Sequence, residues 1–257
     1  MTRVADRWRS YFRTRRQPAV EAFAAEYPDD RSVHVDLIDL HDFDSDLVGT
    51  LFDDPDRVLS VGADTLRNVA DVSGPVHVRV ENNPHQCSVS EVRARHLHRL
   101  VTVDAVVESV GAPQAMVVSA AFECPACEEL TVREQTRVEL DIPLRCDACG
   151  GGGEFTFRPG ASAFVDLQEI TLAPAATTQE RRQPDRTLVA YLDDDLVGAV
   201  TEGDNYSVTG ILRPLPGARS NQFSLSLDAV AVREEHQHST PDSLDDVLDS
   251  HWGVTAE

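Results

Sequence analysis

The chain contains no lysine: all 23 of its basic residues are arginine. A phosphate-cradling loop of the GxxxxGK[ST] type needs a lysine to reach the β- and γ-phosphates, so these 257 residues hold no such loop. Long apolar runs are missing too. None approaches the ~20 residues of a membrane-spanning helix, and the N-terminus has neither the apolar core nor the cleavage pattern of a secretory leader. There is no HExxH, and Gly160-Ala161-Ser162-Ala163-Phe164 lacks the second glycine of a nucleophile elbow. His96 and His98 lie two apart, which on a helix turns them to different faces, so they are expected at the surface or partly packed rather than as ligands. These absences predict a protein that is not an enzyme and has no membrane partner. Its expected location is the cytoplasm, with nucleoid association allowed.

What is present in excess is acid. Forty-four acidic residues against 23 basic ones give a net charge of −21. Dense carboxylates keep a surface hydrated where the Debye length shrinks to ~3 Å near 1 M salt. The balance therefore resembles that of haloarchaeal-like acidic proteins from salt-loaded cytoplasm; an ordinary acidic protein is the alternative. With 41% apolar residues the chain can bury a real core, divided among two or three small domains.

Four of the five cysteines fall into two pairs, Cys124-Pro-Ala-Cys127 and Cys146-Asp-Ala-Cys149, with eighteen residues between them. A CxxC knuckle turns two sulfurs toward one point about 2.3 Å away, and a second knuckle completes the tetrahedron that zinc accepts. Gly150 to Gly153 then supply tight backbone turns. Two disulfides are one alternative. A redox CxxC is another, although it expects a βαβ setting and short strands flank these pairs instead. Four thiolates close the metal's shell, so one structural Zn2+ per chain is expected rather than a catalytic one.

Hydropathy divides the chain. Residues 1–80 read as a helical subdomain: Val4, Trp8, Tyr11 and Phe12 form one apolar face, opposite Arg3, Arg7, Arg9, Arg13, Arg15 and Arg16. That basic stripe suits either DNA phosphates or an acidic partner, or it is a solvated face paired with the acidic body. Pro18 breaks the helix. Val33, Val35 and Leu37 alternate like a strand, and Asp54-Pro55 marks a helix start whose buried face would be Val58, Leu59, Leu66 and Val69. Val76, Val78 and Val80 read as a strand, and Ser88 to Glu91 matches a capping box opening a short helix with Val89, Val92 and Leu97. Alternation over Val101 to Val107, Met116 to Phe122, Phe164 to Leu172, Leu188 to Leu192, Tyr206 to Val208 and Phe223 to Ala229 predicts about five strands. The fold class is α+β, mostly β: a helical subdomain, then a five-stranded OB-type barrel (81–122 and 159–233) with an inserted zinc ribbon (123–158). In the tail, 234–257, Leu244, Val247, Leu248 and Trp252 have helical spacing, with Asp245, Asp246 and Asp249 opposite. That short acidic helix would dock on a partner, or pack on its own barrel or fray.

In this order the residues resemble the N-terminal region of the minichromosome maintenance (MCM) replicative helicases. The resemblance runs through Tyr27-Pro28, Val35-Asp36-Leu37, Asp46-Leu47, Arg95 to Val101, the CxxC pairs, Phe164 to Ile170, Asp195-Leu196-Val197 and Glu202-Gly203-Asp204 into Val208 to Ile211. It covers about 1–233. It implies a tier of a hexameric ring that encloses DNA, with zinc ribbons meeting a second ring, and a separate AAA+ ATPase domain for helicase work. Thr171 to Gln183 resembles the loop that signals to the ATPase tier, and Leu212 to Phe223 a hairpin projecting into the channel. The resemblance thus makes Arg213 and Arg219 candidate phosphate contacts, with Arg181, Arg182 and Arg186 nearby; a guanidinium suits phosphate because its planar fork donates two parallel hydrogen bonds. Glu108 replaces the family's basic residue, and Asp185 interrupts an expected Pro-Arg pair. Expected partners are single-stranded or duplex DNA and either further copies of this chain or an MCM helicase ring. The leading expectation is a DNA-binding and ring-assembly module for DNA replication without a motor. The alternative is a regulatory scaffold that binds the ring through ribbon and tail without touching DNA.

Overall fold

In the computed structural model, which describes residues 2–135, 137, 140–175, 186–216 and 221–235, the apolar stripe of the first helix is the centre of the helical unit. Along α1 (Thr2–Thr14), Trp8, Tyr11 and Phe12 are fully buried and Val4 nearly so. The Trp8 and Phe12 rings stack with centroids 5.3 Å apart, and the indole Nε1 donates to the Val58 carbonyl at 3.0 Å. Pro18 falls in the first turn of α2 (Gln17–Glu26), where its missing N–H costs no helical bond. Two short helices, α3 (Leu37–Phe43) and α4 (Ser45–Asp53), precede α5 (Pro55–Ala70). Asp54 caps α5 by accepting from the Arg57 N–H, and Pro55 opens its first turn. Val58 and Leu66 are buried, with Leu59 and Val69 packed at the edge of the same cluster.

The strand expected at Val33 is β1 (Ser32–Asp36), and it pairs in parallel with β2 (His77–Glu81). A parallel pair needs a crossover, and α3, α4 and α5 supply it. The segment after β3 (Gln86–Ser88) corrects the sequence expectation of a short helix. It is two 3₁₀ turns, Val89–Glu91 and Ala94–His96, because Val92 between them is extended (φ −60°, ψ 129°). The capping contact itself is present: the Ser88 N–H donates to Glu91 Oε2 at 3.0 Å.

Five strands close on themselves. β4 (Leu100–Val110) pairs with β10 (Asn205–Pro216), β10 with β11 (Phe223–Glu234), β11 with β9 (Leu188–Asp193), β9 with β8 (Ala163–Pro174), and β8 returns to β4. Closure leaves no free edge within the ring. Val103, Val107, Leu172, Leu192, Val208, Leu212 and Leu227 fill its interior at 0% exposure, as alternation along each strand requires. Gly210 sits at a β10 bulge where a Cβ would lie 2.5 Å from the Asp228 carbonyl oxygen, so glycine is what permits that strand approach. β5 (Gln114–Glu123) pairs with the first half of β8, along the edge whose second half takes β4, and it carries β6 (Leu130–Glu134) and β7 (Thr156–Phe157) of the ribbon.

The helical unit is fastened to the barrel by apolar and ionic contact. Its core cluster runs on into Leu100, Ile211 and Val230 of the barrel. Beside them Arg79, only 4% exposed, pairs with Asp195 and donates to the Val230 carbonyl at 3.2 Å. Asp194 accepts from Arg31 at 2.5 Å and lies 2.8 Å from His77 Nε2. His77 and then Arg31 hold the Asp194 carboxyl below its usual range, and for Asp195 the Arg79 guanidinium outweighs the opposing effect of burial.

Candidate metal centre and nucleic-acid interface

The ribbon is small. Its buried cluster is Ala120, Phe122, Cys124, Cys146 and Phe155, with Val117, Cys127 and Phe157 at the margin. Around this core the two knuckles repeat one backbone pattern. In the first, the Cys124 carbonyl accepts from the Glu128 N–H at 3.0 Å, the Ala126 N–H points at Cys124 Sγ at 3.4 Å, and Glu128 has φ 63°. In the second, the Cys146 carbonyl accepts from the Gly150 N–H at 3.0 Å, the Ala148 N–H points at Cys146 Sγ at 3.4 Å, and Gly150 has φ 69°. The left-handed residue after each CxxC turns the chain back so that both sulfurs face inward. Gly153, with φ 141°, passes so close to Pro125 that a Cβ would meet its Cγ at 2.9 Å.

All four sulfurs lie within 4.8 Å of one another. Cys124 Sγ is 3.8 Å from Cys149 Sγ, and Cys127 Sγ is 3.6 Å from Cys146 Sγ. Four bonds of about 2.3 Å at tetrahedral angles place sulfurs ~3.8 Å apart, whereas a disulfide needs ~2.05 Å. The donor set thus fits a tetrahedral metal ion. Proton sharing within the set agrees: the N–H groups of Cys149 and Ala148 hold the Cys146 thiol down to about 6. Cys127, despite an N–H bond from Glu129 that favours its thiolate, is pushed up to about 12 by the neighbouring sulfurs. A dication at the centre removes that conflict and lets all four ionise. Cys87, the fifth cysteine, lies on β3 outside this set, and burial pushes its thiol up.

The ribbon is tied down by arginines. Arg133 on β6 forks onto Asp147 in the second knuckle at 2.8 and 2.9 Å, and Arg158 forks onto Glu123 at 2.5 and 2.9 Å. Arg137 lies over the Tyr191 ring, 3.7 Å from its centroid, and pairs with Asp228 of the barrel. Outward, the ribbon shows apolar side chains, with Leu130, Val132, Leu140 and Ile142 exposed and Leu144 at 89%.

Of the five candidate DNA contacts the structure describes two, Arg186 and Arg213, and they lie on different partners. Arg181, Arg182 and Arg219 lie outside the described residues. Arg213 is at the base of the hairpin, where its Nε donates to Asp228 Oδ2 at 2.9 Å and its Nη1 to Asp56 Oδ2 at 2.8 Å. Asp56 and Asp228 raise its pKa further. It lines a crevice of about 530 Å³ between α5 and the barrel, with Arg137 and Tyr191 on the same wall. Arg186 is exposed and donates to the Ser90 carbonyl at 3.1 Å, on the 3₁₀ turns instead. Arg7 of α1 and Arg15 just after it pair with Asp44 and Asp39, and Arg9 with Asp6 of its own helix, so that part of the basic stripe is neutralised by nearby acids. A second cluster of candidate ligand atoms, His77, Asp194 and Asp195, is already occupied by the Arg31 and Arg79 pairs. Sequence reasoning missed this seam; the Asp193-Asp194-Asp195 run was its one visible signal. Among the described residues no helix is long and apolar enough to cross a membrane.

Comparison with known proteins agrees with this architecture. The family model of the MCM OB domain matches residues 88–216, half of the chain. A probable DNA helicase MCM8 from Arabidopsis thaliana is 31% identical over 188 residues, covering 66% of this chain and 23% of that protein. The minichromosome maintenance protein MCM of Saccharolobus solfataricus is 28% identical over 142 residues, covering 53% and 21%. The chain thus spans less than a quarter of the length of these relatives. A crystal structure of the N-terminal domain of an archaeal MCM superposes with a TM-score of 0.78 at 25% identity, covering 91% of this chain and 99% of that one.

Proposed function

The chain belongs to the MCM family, whose N-terminal OB-domain region it carries, and on that premise we propose that it is a DNA-binding and ring-assembly module acting in DNA replication. The observation that carries this reading is the match of 91% of the chain to nearly the whole of an archaeal MCM N-terminal domain, ribbon and helical unit included. Cys124, Cys127, Cys146 and Cys149 hold one structural zinc per chain on this reading. The metal supplies fixed tetrahedral bonds, and the cysteines close its shell against water. A motor would belong to a separate ATPase domain, since these residues have no lysine for a phosphate loop.

DNA binding and self-association form one proposal. A subunit with two or three phosphate contacts loses about 1.5 to 2 decades of affinity per tenfold rise in salt on single strands. A ring multiplies weak contacts through effective concentration. The test is fluorescence anisotropy with labelled single-stranded and duplex DNA across a salt series, with light scattering on the same samples. Binding that rises with assembly is expected; a flat signal at low salt while rings are present removes DNA from the reading. Two observations favour the scaffold alternative, in which the partner is a helicase ring: Arg213 is already neutralised by Asp56 and Asp228, and the ribbon exposes Leu140, Ile142 and Leu144.

A further inference from the structure

In a protein of net charge −21 most arginines sit on carboxylates, as Arg7, Arg31, Arg79, Arg137 and Arg213 do. Arg93, Arg95, Arg99 and Arg186 do not: among the described residues none has a carboxylate partner, and all four are exposed. They are also together. Arg93 and Arg186 donate to the same acceptor, the Ser90 carbonyl, at 2.6 and 3.1 Å, which brings two like charges onto one oxygen. Arg95, Arg93 and Arg99 all act on His96, after burial, to lower its pKa. Glu91, in the same turn, opposes them at His96 but is turned back onto the Ser88 N–H, so the four guanidinium groups remain concentrated around the turn, and such a concentration stores repulsion that an anion relieves.

The turn is shaped as well as charged. His98 takes a left-handed conformation (φ 61°), and its N–H is held by the Leu212 carbonyl at 2.9 Å, at the base of the hairpin. The Arg93 N–H donates to His96 Nδ1 at 3.3 Å, so the remaining ring proton is on Nε2 as a donor. His96 and Arg99 line a groove of about 200 Å³ together with Phe52 and His85, whose rings pack edge to face at 4.6 Å. A cationic rim beside aromatic faces is the form that single-stranded nucleic acid recognition takes, with phosphates on the arginines and bases against the rings.

We propose that Arg93 and Arg95 of the 3₁₀ turns, Arg99 just before β4 and Arg186 just before β9, beside the groove at Phe52 and His85, form the phosphate-binding surface of this chain for single-stranded DNA. This rests on the DNA-binding reading and moves the contact from the hairpin arginine, Arg213, to the turn that precedes β4. A groove of this size admits a nucleotide and not a duplex. Specificity for sequence is not expected, since phosphates carry none.

The test uses the full chain and a labelled oligothymidine, with a matched duplex alongside. The double variant Arg95→Gln/Arg99→Gln changes two exposed side chains that have no carboxylate partner among the described residues; zinc content and urea midpoint serve as folding controls. It is expected to reduce the salt slope on the single strand by about 1.4 and, for curves converging near 1 M salt, to weaken binding about 25-fold at 0.1 M. Arg95→Lys/Arg99→Lys restores most of the slope. Wild-type slope in the Gln variant, with loss of binding in Arg219→Gln, overturns the proposal while DNA binding stands. Absence of wild-type binding to either DNA, with rings present, removes the DNA reading itself. A labelled peptide of residues 236–257 is titrated in parallel: if it binds and the Gln variant loses that peptide alone, the surface belongs to the chain's own acidic segment and not to DNA.

Discussion

The helical unit and the ribbon hold their shape by opposite means. The helical unit buries Trp8, Tyr11, Phe12, Leu40, Leu47, Leu51 and Leu66 completely and shares its core with the barrel. Among the described residues the ribbon buries only Phe122 and Phe155 of its large side chains, and it leaves Leu130, Val132, Ile142 and Leu144 outside. Fully burying a large apolar side chain contributes about 1.5–3 kcal/mol, so the first unit has many such contributions and the second very few. Modules with cores this small need a staple. The comparison teaches that the cysteines are the ribbon's substitute for a core.

The largest effect is expected from dismantling the four-thiol set that is proposed to hold zinc. Structural zinc in finger peptides carries roughly 10–16 kcal/mol of apparent binding free energy that is also folding free energy. Cys146→Ser is expected to abolish stoichiometric zinc by elemental analysis and to expose the amides of residues 124–157 to hydrogen exchange. Helical circular dichroism is expected to survive. Collapse of the helical signal together with the ribbon would show that the two units are not separately supported.

The converse experiment is Trp8→Ala. It removes a fully buried ring, its stacking on Phe12 and the donor to the Val58 carbonyl, at an expected cost of about 3–5 kcal/mol. The urea midpoint should fall steeply with zinc content unchanged at low denaturant. Loss of the metal in this variant would again undo the separation.

How much of this was readable in advance differs by region. The Trp8, Tyr11 and Phe12 stripe and the Asp54-Pro55 start are local signals, because period and capping act within one or two turns. The knuckles are equally local, since CxxC spacing fixes two sulfurs by itself. The capping box at Ser88 was legible but its outcome was not: extended Val92 ends the turn after three residues. Parallel pairing of β1 with β2 is decided 45 residues away, between Ser32 and His77. The arginines were least legible of all. Arg213 finds Asp56 across 157 positions, and Arg31 finds Asp194 across 163, so whether a guanidinium is free or neutralised is a property of the fold.

Within the barrel, which needs no metal, Gly210→Ala offers a smaller effect. A methyl group 2.5 Å from the Asp228 carbonyl oxygen and 2.8 Å from Leu227 Cγ forces β10 and β11 apart, with an expected loss of about 1–3 kcal/mol. Thermal melts should shift down with the zinc centre intact. An unchanged melting point would mean that the bulge at Thr209 and Gly210 yields without strain.

The seam between helical unit and barrel gives the smallest effect and a pH signature. Asp194 and Asp195 are held below the usual carboxylate range by His77, Arg31 and Arg79. A carboxyl depressed in the folded state contributes stability that is complete above its unfolded pKa of about 3.9 and disappears as pH falls through the lower folded value. Stability should therefore fall below about pH 4 through this pair, on top of any loss of metal from protonated thiols. Asp194→Asn separates the two. Asp194 has φ 48°, a left-handed conformation that asparagine accepts readily, so the substitution removes charge with little backbone cost. It is expected to lower stability at pH 7 by about 1 kcal/mol and to make the acid limb of urea midpoint against pH shallower, while zinc release keeps its own pH dependence. An acid limb as steep as the wild type's would remove Asp194 from the groups whose protonation destabilises the fold.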